Sequence, residues 1–143
     1  MMEVSPYLLA IMAAWLIAQG LKYVFGSVKS RTFGNYRQLY LSGNMPSAHT
    51  ATVVALATVV GLINGFESAI FAVAALLAGV IMYDAIMVRR SSGEQGTAIQ
   101  EIIKEVKSKV ALPRAAKGHT PEEVLVGMLL GVAIGFAVFF ITG

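Results

Sequence analysis

The sequence of 143 residues contains no cysteine, which excludes disulfides and thiolate chemistry. Charge is also scarce. Only 13% of the residues are Asp, Glu, Lys or Arg, against 57% that are hydrophobic. Soluble domains carry roughly a quarter charged residues. About half that share leaves too little polar surface to face water all round, so lipid is the expected solvent. No basic n-region precedes the apolar run from Pro6 to Ala18, and the polar Gln19 and Lys22 follow it. The run therefore reads as a retained helix rather than a signal peptide. Histidine occurs only at His49 and His119. The net charge is +3, and no nucleic-acid partner is expected from it.

What the sequence has in quantity is apolar stretches. Four are long enough to cross a hydrocarbon core of roughly 30 Å: about 6–25, 46–63, 67–88 and 121–141. Proline stands at or near the start of the first, second and fourth, where its missing N–H costs nothing. Asn64-Gly65 is a short turn, making the second and third helices an antiparallel hairpin. The third stretch contains Ala74, Ala75, Ala78 and Gly79. The fourth contains Gly127, Gly131 and Gly135, two overlapping Gly-x-x-x-Gly steps. Such steps permit close helix approach, either within the chain or in a homodimer.

The eleven basic residues all fall between the first and second stretches or between the third and fourth, counting Lys22 at the inner end of the first. Glu3, the turn at 64–67 and Thr142-Gly143 lie on the other side. The basic side is then cytoplasmic and both chain ends are outside, in a bacterial or organellar inner or plasma membrane. In the polar linker 91–120, Ile99, Ile102, Ile103, Val106 and Val110 recur at helical spacing. Thr97-Ala98-Ile99-Gln100 fits a capping box. This predicts an amphipathic helix over about 97–111, lying on the inner membrane surface or capping the bundle. The predicted fold is one all-α, polytopic membrane domain of about four transmembrane helices plus this cytoplasmic-side helix.

Unusual polar residues gather at the basic side. Ser42 to Thr50 opens the second helix, where free N–H groups and the positive dipole end attract anions such as phosphate. Asn44 or Ser47 can equally serve as ordinary caps, with His49 an interfacial polar residue. Gly118-His119-Thr120-Pro121-Glu122-Glu123 opens the fourth helix. His119 and Glu123 share a face at i, i+4. A carboxylate on one ring nitrogen would orient the imidazole and leave the other to attack. The same segment is a good capping box, in which Glu123 bonds the backbone instead. Asp84 lies in an apolar run, costly unless paired and so a functional candidate. Arg89 and Arg90, five and six positions on, are badly spaced to pair with it on one helix, so a partner on another helix is expected: Lys22 or a histidine. Lys22 either snorkels to the interface or faces the site.

Three segments together resemble the divergent branch of the type-2 phosphatidic acid phosphatase superfamily. They are Gly43-Asn44-Met45-Pro46-Ser47-Ala48-His49-Thr50-Ala51, Met82-Tyr83-Asp84-Ala85 with Val88-Arg89-Arg90 and Gln95, and Gly118-His119-Thr120-Pro121-Glu122-Glu123-Val124. The resemblance covers most of the chain, in the same order. It implies that Ser47 binds phosphate, that His49 protonates the leaving alkoxide, and that His119 attacks phosphorus to form a phosphohistidine, with Glu123 where the orienting aspartate stands. It also implies a phosphorylated membrane lipid as substrate and no metal or cofactor. Asn44, Lys22, Asp84, Arg89 and Arg90 are the further substrate-binding candidates. Departures are plain: Ala48 replaces the motif glycine, Glu123 replaces aspartate, no Ser-Arg pair stands at the usual distance before His119, and no clean lysine-x6-Arg-Pro motif precedes Pro46. A protein of this fold that binds or transports a phospholipid or other anion without hydrolysis is the alternative.

Overall fold

Hydroxyl side chains start two of the helices. Ser47 accepts a hydrogen bond from Thr50 N–H and Ser68 accepts one from Phe71 N–H, each as an N-cap. In this computed structural model, which describes residues 4–30, 45–113, 115 and 118–142, every regular element is helical. Helix α1 is Pro6–Ser30, α2 is Ala48–Asn64, α3 is Ala69–Tyr83, α4 is Arg89–Glu105 and α5 is Pro121–Thr142. A π-helical turn, Asp84–Val88, joins α3 to α4 without a break. Between α2 and α3, Gly65 turns the chain at φ 89°, a conformation that L side chains rarely adopt.

Three helical segments are long and apolar enough to cross a membrane: Pro6–Val28, Ala69–Glu105 and Pro121–Thr142. The second predicted span, α2, has 17 residues and is shorter. It is the central rod, packing against α1, α3 and α5. Ala10, Ala14 and Ala18 of α1 have no exposed surface, a small-residue row at i, i+4, i+8 that lets this helix approach closely. The outward surfaces are apolar: Leu8, Met12, Trp15 and Leu16 on α1, Ile70, Val73, Leu76 and Val80 on α3, and Leu129, Phe140 and Ile141 on α5 are all exposed. Surface of that kind is at home in lipid.

One expectation is corrected here. The amphipathic helix does not begin near residue 97. It begins at Arg89 as an extension of α3 and ends at Glu105, with Lys107 at φ 49° beyond it. Thr97 is not a cap, because its hydroxyl donates to Gly93 O within the helix. Gln100 instead donates to Pro113 O at 2.6 Å, tying down the following loop. The reason is that no proline interrupts Ala69–Glu105 and the π turn absorbs the register change. The 37-residue rod is roughly 55 Å long, so α4 extends beyond a roughly 30 Å core, with Ile99, Ile102 and Val106 exposed.

The glycine face of α5 packs within the chain, one of the two uses its sequence permits. Gly127, Gly131 and Gly135 are buried against α2. A Cβ on Gly131 would stand 2.6 Å from Ala51 O, and one on Gly127 would stand 2.7 Å from Ser47 O. The face is used within the chain. Gly131→Ala should therefore lower stability by about 1–3 kcal/mol, read by unfolding in detergent micelles. Gly79→Ala, where nothing lies within 4 Å, should be neutral or gain up to about 1 kcal/mol. Equal behaviour of the two variants would contradict this packing.

Candidate functional site

Two helix starts lie side by side. Ser47 N–H donates to the Glu123 carbonyl at 3.2 Å, linking the N-terminus of α2 to that of α5. Ser47 and Thr50 are fully buried, and Ser47 Oγ accepts from both the Thr50 amide (3.4 Å) and the Thr50 hydroxyl (3.0 Å). His49, in the first turn of α2, is exposed. Asn44 lies outside the described residues.

At the start of α5, His119 Nδ1 is 2.9 Å from Glu123 Oε2, and His119 is 7% exposed. The same carboxylate oxygen accepts from Thr120 N–H at 3.1 Å, while Thr120 Oγ1 accepts from Glu123 N–H at 3.3 Å. Capping and imidazole orientation, two alternatives on spacing alone, are both present. One oxygen does both because Thr120 and His119 precede the first helical turn and can bend toward the same side chain. A buried charge-assisted hydrogen bond of this kind contributes roughly 1.5–3 kcal/mol. With Nδ1–H donating to Glu123, Nε2 carries the lone pair.

The π turn brings the third helix to this place. His119 N–H donates to Ala85 O at 3.0 Å, and Ala85 is buried. Gly118 lies directly on the helix. A Cβ there would stand 2.5 Å from the Arg90 backbone, so only glycine fits. Asp84 does not need another helix for its partner, contrary to the sequence expectation: Arg89 Nε is 2.5 Å from Asp84 Oδ2. The π turn makes this pairing available, since its i+5 hydrogen bond from Arg89 N–H to Asp84 O sets residue 89 over residue 84. Arg90 pairs with Glu94 at 3.2 Å on an exposed surface. Gln95 bonds Ser91 at 3.2 Å and lines a cavity of about 390 Å³ with Tyr83, Met87, Val88, Ser91 and Ser92.

These parts meet electrostatically. His49 lies within interaction range of His119, Arg89, Lys22 and Asp84, and Lys22 within range of Glu123. Lys22 does not snorkel: it is buried, with 7% of its surface exposed. One helical turn before it, Gln19 Oε1 is buried without a hydrogen-bond partner among the described residues. The arrangement gathers two imidazoles and two cationic groups within electrostatic range of one another, a setting that attracts anions. Sequence reasoning placed Ala85 and Gly118 within motifs but gave neither a role. The signal for Gly118 is a glycine directly before the histidine. Ala85 acts through its carbonyl, which side-chain chemistry does not reveal.

A family profile described as "Divergent PAP2 family" matches residues 4–134, nearly the whole chain. The chain belongs to the divergent PAP2 family. The match takes in all the residues gathered above, from Lys22 to Glu123. Among similar proteins, the divergent PAP2 member here is 36% identical over 142 residues to the uncharacterized membrane protein YuiD of Bacillus subtilis (strain 168), covering 89% of each chain. No solved structure matches. Helices of membrane-crossing length and a membrane-protein relative make this divergent PAP2 protein an integral membrane protein.

The geometry predicts which tautomer the neutral His119 ring adopts. Imidazole ¹⁵N NMR of the protein in micelles, at a pH where the ring is neutral, should show His119 protonated at Nδ1 and bare at Nε2, and Glu123→Ala should shift it toward a mixture of tautomers. A His119 ring protonated at Nε2 and bare at Nδ1 in the wild type would contradict donation from Nδ1 to Glu123.

Proposed function

We propose that this protein hydrolyses a phosphate monoester or diphosphate of a membrane lipid, as a metal-independent phosphoric ester hydrolase. One observation carries the reading: a buried imidazole, His119, with Nδ1 on a carboxylate at 2.9 Å, at a helix start within electrostatic range of a second imidazole. Membership of the divergent PAP2 family supports it.

In this reading His119 Nε2 attacks phosphorus and the bond from phosphorus to the lipid oxygen breaks. The new N–P bond leaves a phosphohistidine, whose positive ring the Glu123 carboxylate stabilises. His49 gives its proton to the departing alkoxide. Water then attacks phosphorus, His49 takes the water proton, and the N–P bond breaks to release phosphate. Lys22 and Arg89, with the N–H groups at the two helix starts, offset the charge on the phosphoryl oxygens. The basic end of the bundle faces the cytoplasm and both chain ends face outside, following the charge bias of the loops. The lipid is then met at the cytoplasmic leaflet.

A second reading is favoured by one feature. Ser47 Oγ caps α2 and Arg89 pairs with Asp84, so two expected phosphate ligands already have protein partners. A binding or transport protein would keep the anion site in that form without turnover. It would show saturable binding of a phosphorylated lipid and no release of phosphate.

The test is phosphate release from dioleoyl phosphatidate, phosphatidylglycerophosphate and a polyprenyl diphosphate in mixed micelles containing a chelator. His119→Ala should abolish release and the acid-labile phosphoenzyme. His49→Ala should slow release by about 10²–10⁴-fold. Equal release by wild type and His119→Ala would remove His119 from the chemistry.

A further inference from the structure

We infer that the π turn Asp84–Val88 is the positioning element of the site: Ala85 O fixes the backbone of His119, and the Asp84 carboxylate holds Arg89 by Nε so that its terminal amines bind a phosphoryl group. The inference rests on the reading that a phosphorylated lipid binds between the histidines. It adds which arginine meets the phosphate and what holds the nucleophile in place.

One change of helical register produces both effects. In an α-helix the Arg89 N–H would bond Ala85 O, four residues back. Here it bonds Asp84 O instead. Ala85 O is thereby given to another donor, and that donor is His119 N–H at 3.0 Å. Gly118 allows the loop to come that close, since any side chain there would strike the Arg90 backbone. The same i+5 bond stacks Arg89 over Asp84. Regular α geometry would leave the two well apart around the helix axis.

The atom used matters. Asp84 engages Arg89 through Nε, while a guanidinium has five N–H donors in a planar fork. The four on the terminal nitrogens suit two phosphoryl oxygens. Arg89 and Asp84 are both within electrostatic range of His49, whereas Arg90 is turned to Glu94. π turns inside α-helices occur frequently at functional sites. Asp84 and Ala85 are thus positioning residues, acting through Arg89 and His119.

The experiment is a double-mutant cycle on the full chain in micelles, with dioleoyl phosphatidate as probe. The dissociation constant is read separately from kcat and KM, and helix content by circular dichroism checks folding. Arg89→Ala and Asp84→Ala should each weaken binding by about tenfold or more. The double variant should bind no worse than Arg89→Ala, because Asp84 works only through that arginine. Asp84→Asn, which keeps an acceptor for Nε, should retain most of the binding. Gly118→Ala should lower kcat at least about tenfold while leaving the dissociation constant within about twofold. A merely structural role would not split the constants in this way. Tighter binding by Asp84→Ala, additive losses in the double variant, or no measurable phosphatidate binding by the wild type would overturn the inference. If the wild type shows the coupled losses in binding but releases no phosphate, the Asp84–Arg89 clamp stands and the phosphatase reading fails.

Discussion

Two helices that meet backbone to backbone hold this site together. Ser47 N–H at the start of α2 donates to the carbonyl of Glu123 in α5. Helix starts leave N–H groups without intrahelical partners, and in a bilayer those groups must be satisfied inside the protein. The Glu123 carbonyl answers one such group and the Glu123 carboxylate answers another, Thr120 N–H. Such an approach between main chains requires small residues at the crossing, supplied by Gly127, Gly131 and Gly135. His49 follows Ser47 by two residues and His119 precedes Glu123 by four, so the distance between the imidazoles is set by this crossing. Side chains elsewhere can vary so long as it survives.

The third helix contributes by departing from regularity. A π turn is poorer in local geometry than the α-helix it interrupts. What it gains is a salt bridge between Asp84 and Arg89 and a carbonyl, Ala85 O, turned to the His119 loop. Both gains lie at the end of the apolar run of α3, where the sequence turns polar. α4 then carries the rod outward with Ile99 and Ile102 uncovered.

The membrane character, the helical fold and the gathering of unusual polar residues were legible in the sequence, because hydropathy over about 20 residues and charge placement are long-range signals that survive local detail. The pairing of His119 with Glu123 was legible for a local reason: i, i+4 on one helix turn. Spacing could not show that capping and orientation share one oxygen. Asp84 was misjudged because the comparison assumed α geometry, and a π turn has no side-chain signature strong enough to announce itself. The extent of α4 was misjudged for a related reason. Thr97-Ala98-Ile99-Gln100 has the composition of a cap, but a helix already under way gives Thr97 another acceptor, Gly93 O. The glycine face of α5 was read correctly as a contact surface, and its partner, α2, follows only from three-dimensional packing.

All of this converges on one spatial claim, that both imidazoles reach the same phosphoryl group. Solid-state NMR can test it in bilayers, by measuring ¹⁵N–³¹P dipolar couplings between labelled histidines and a non-hydrolysable phosphonate analogue of phosphatidate. The account predicts that His119 Nε2 lies about 3–3.5 Å from phosphorus, the range of a near-attack geometry, and that His49 also shows a resolved coupling to the same nucleus. Coupling to one histidine only, or to neither while the analogue is bound, would contradict it.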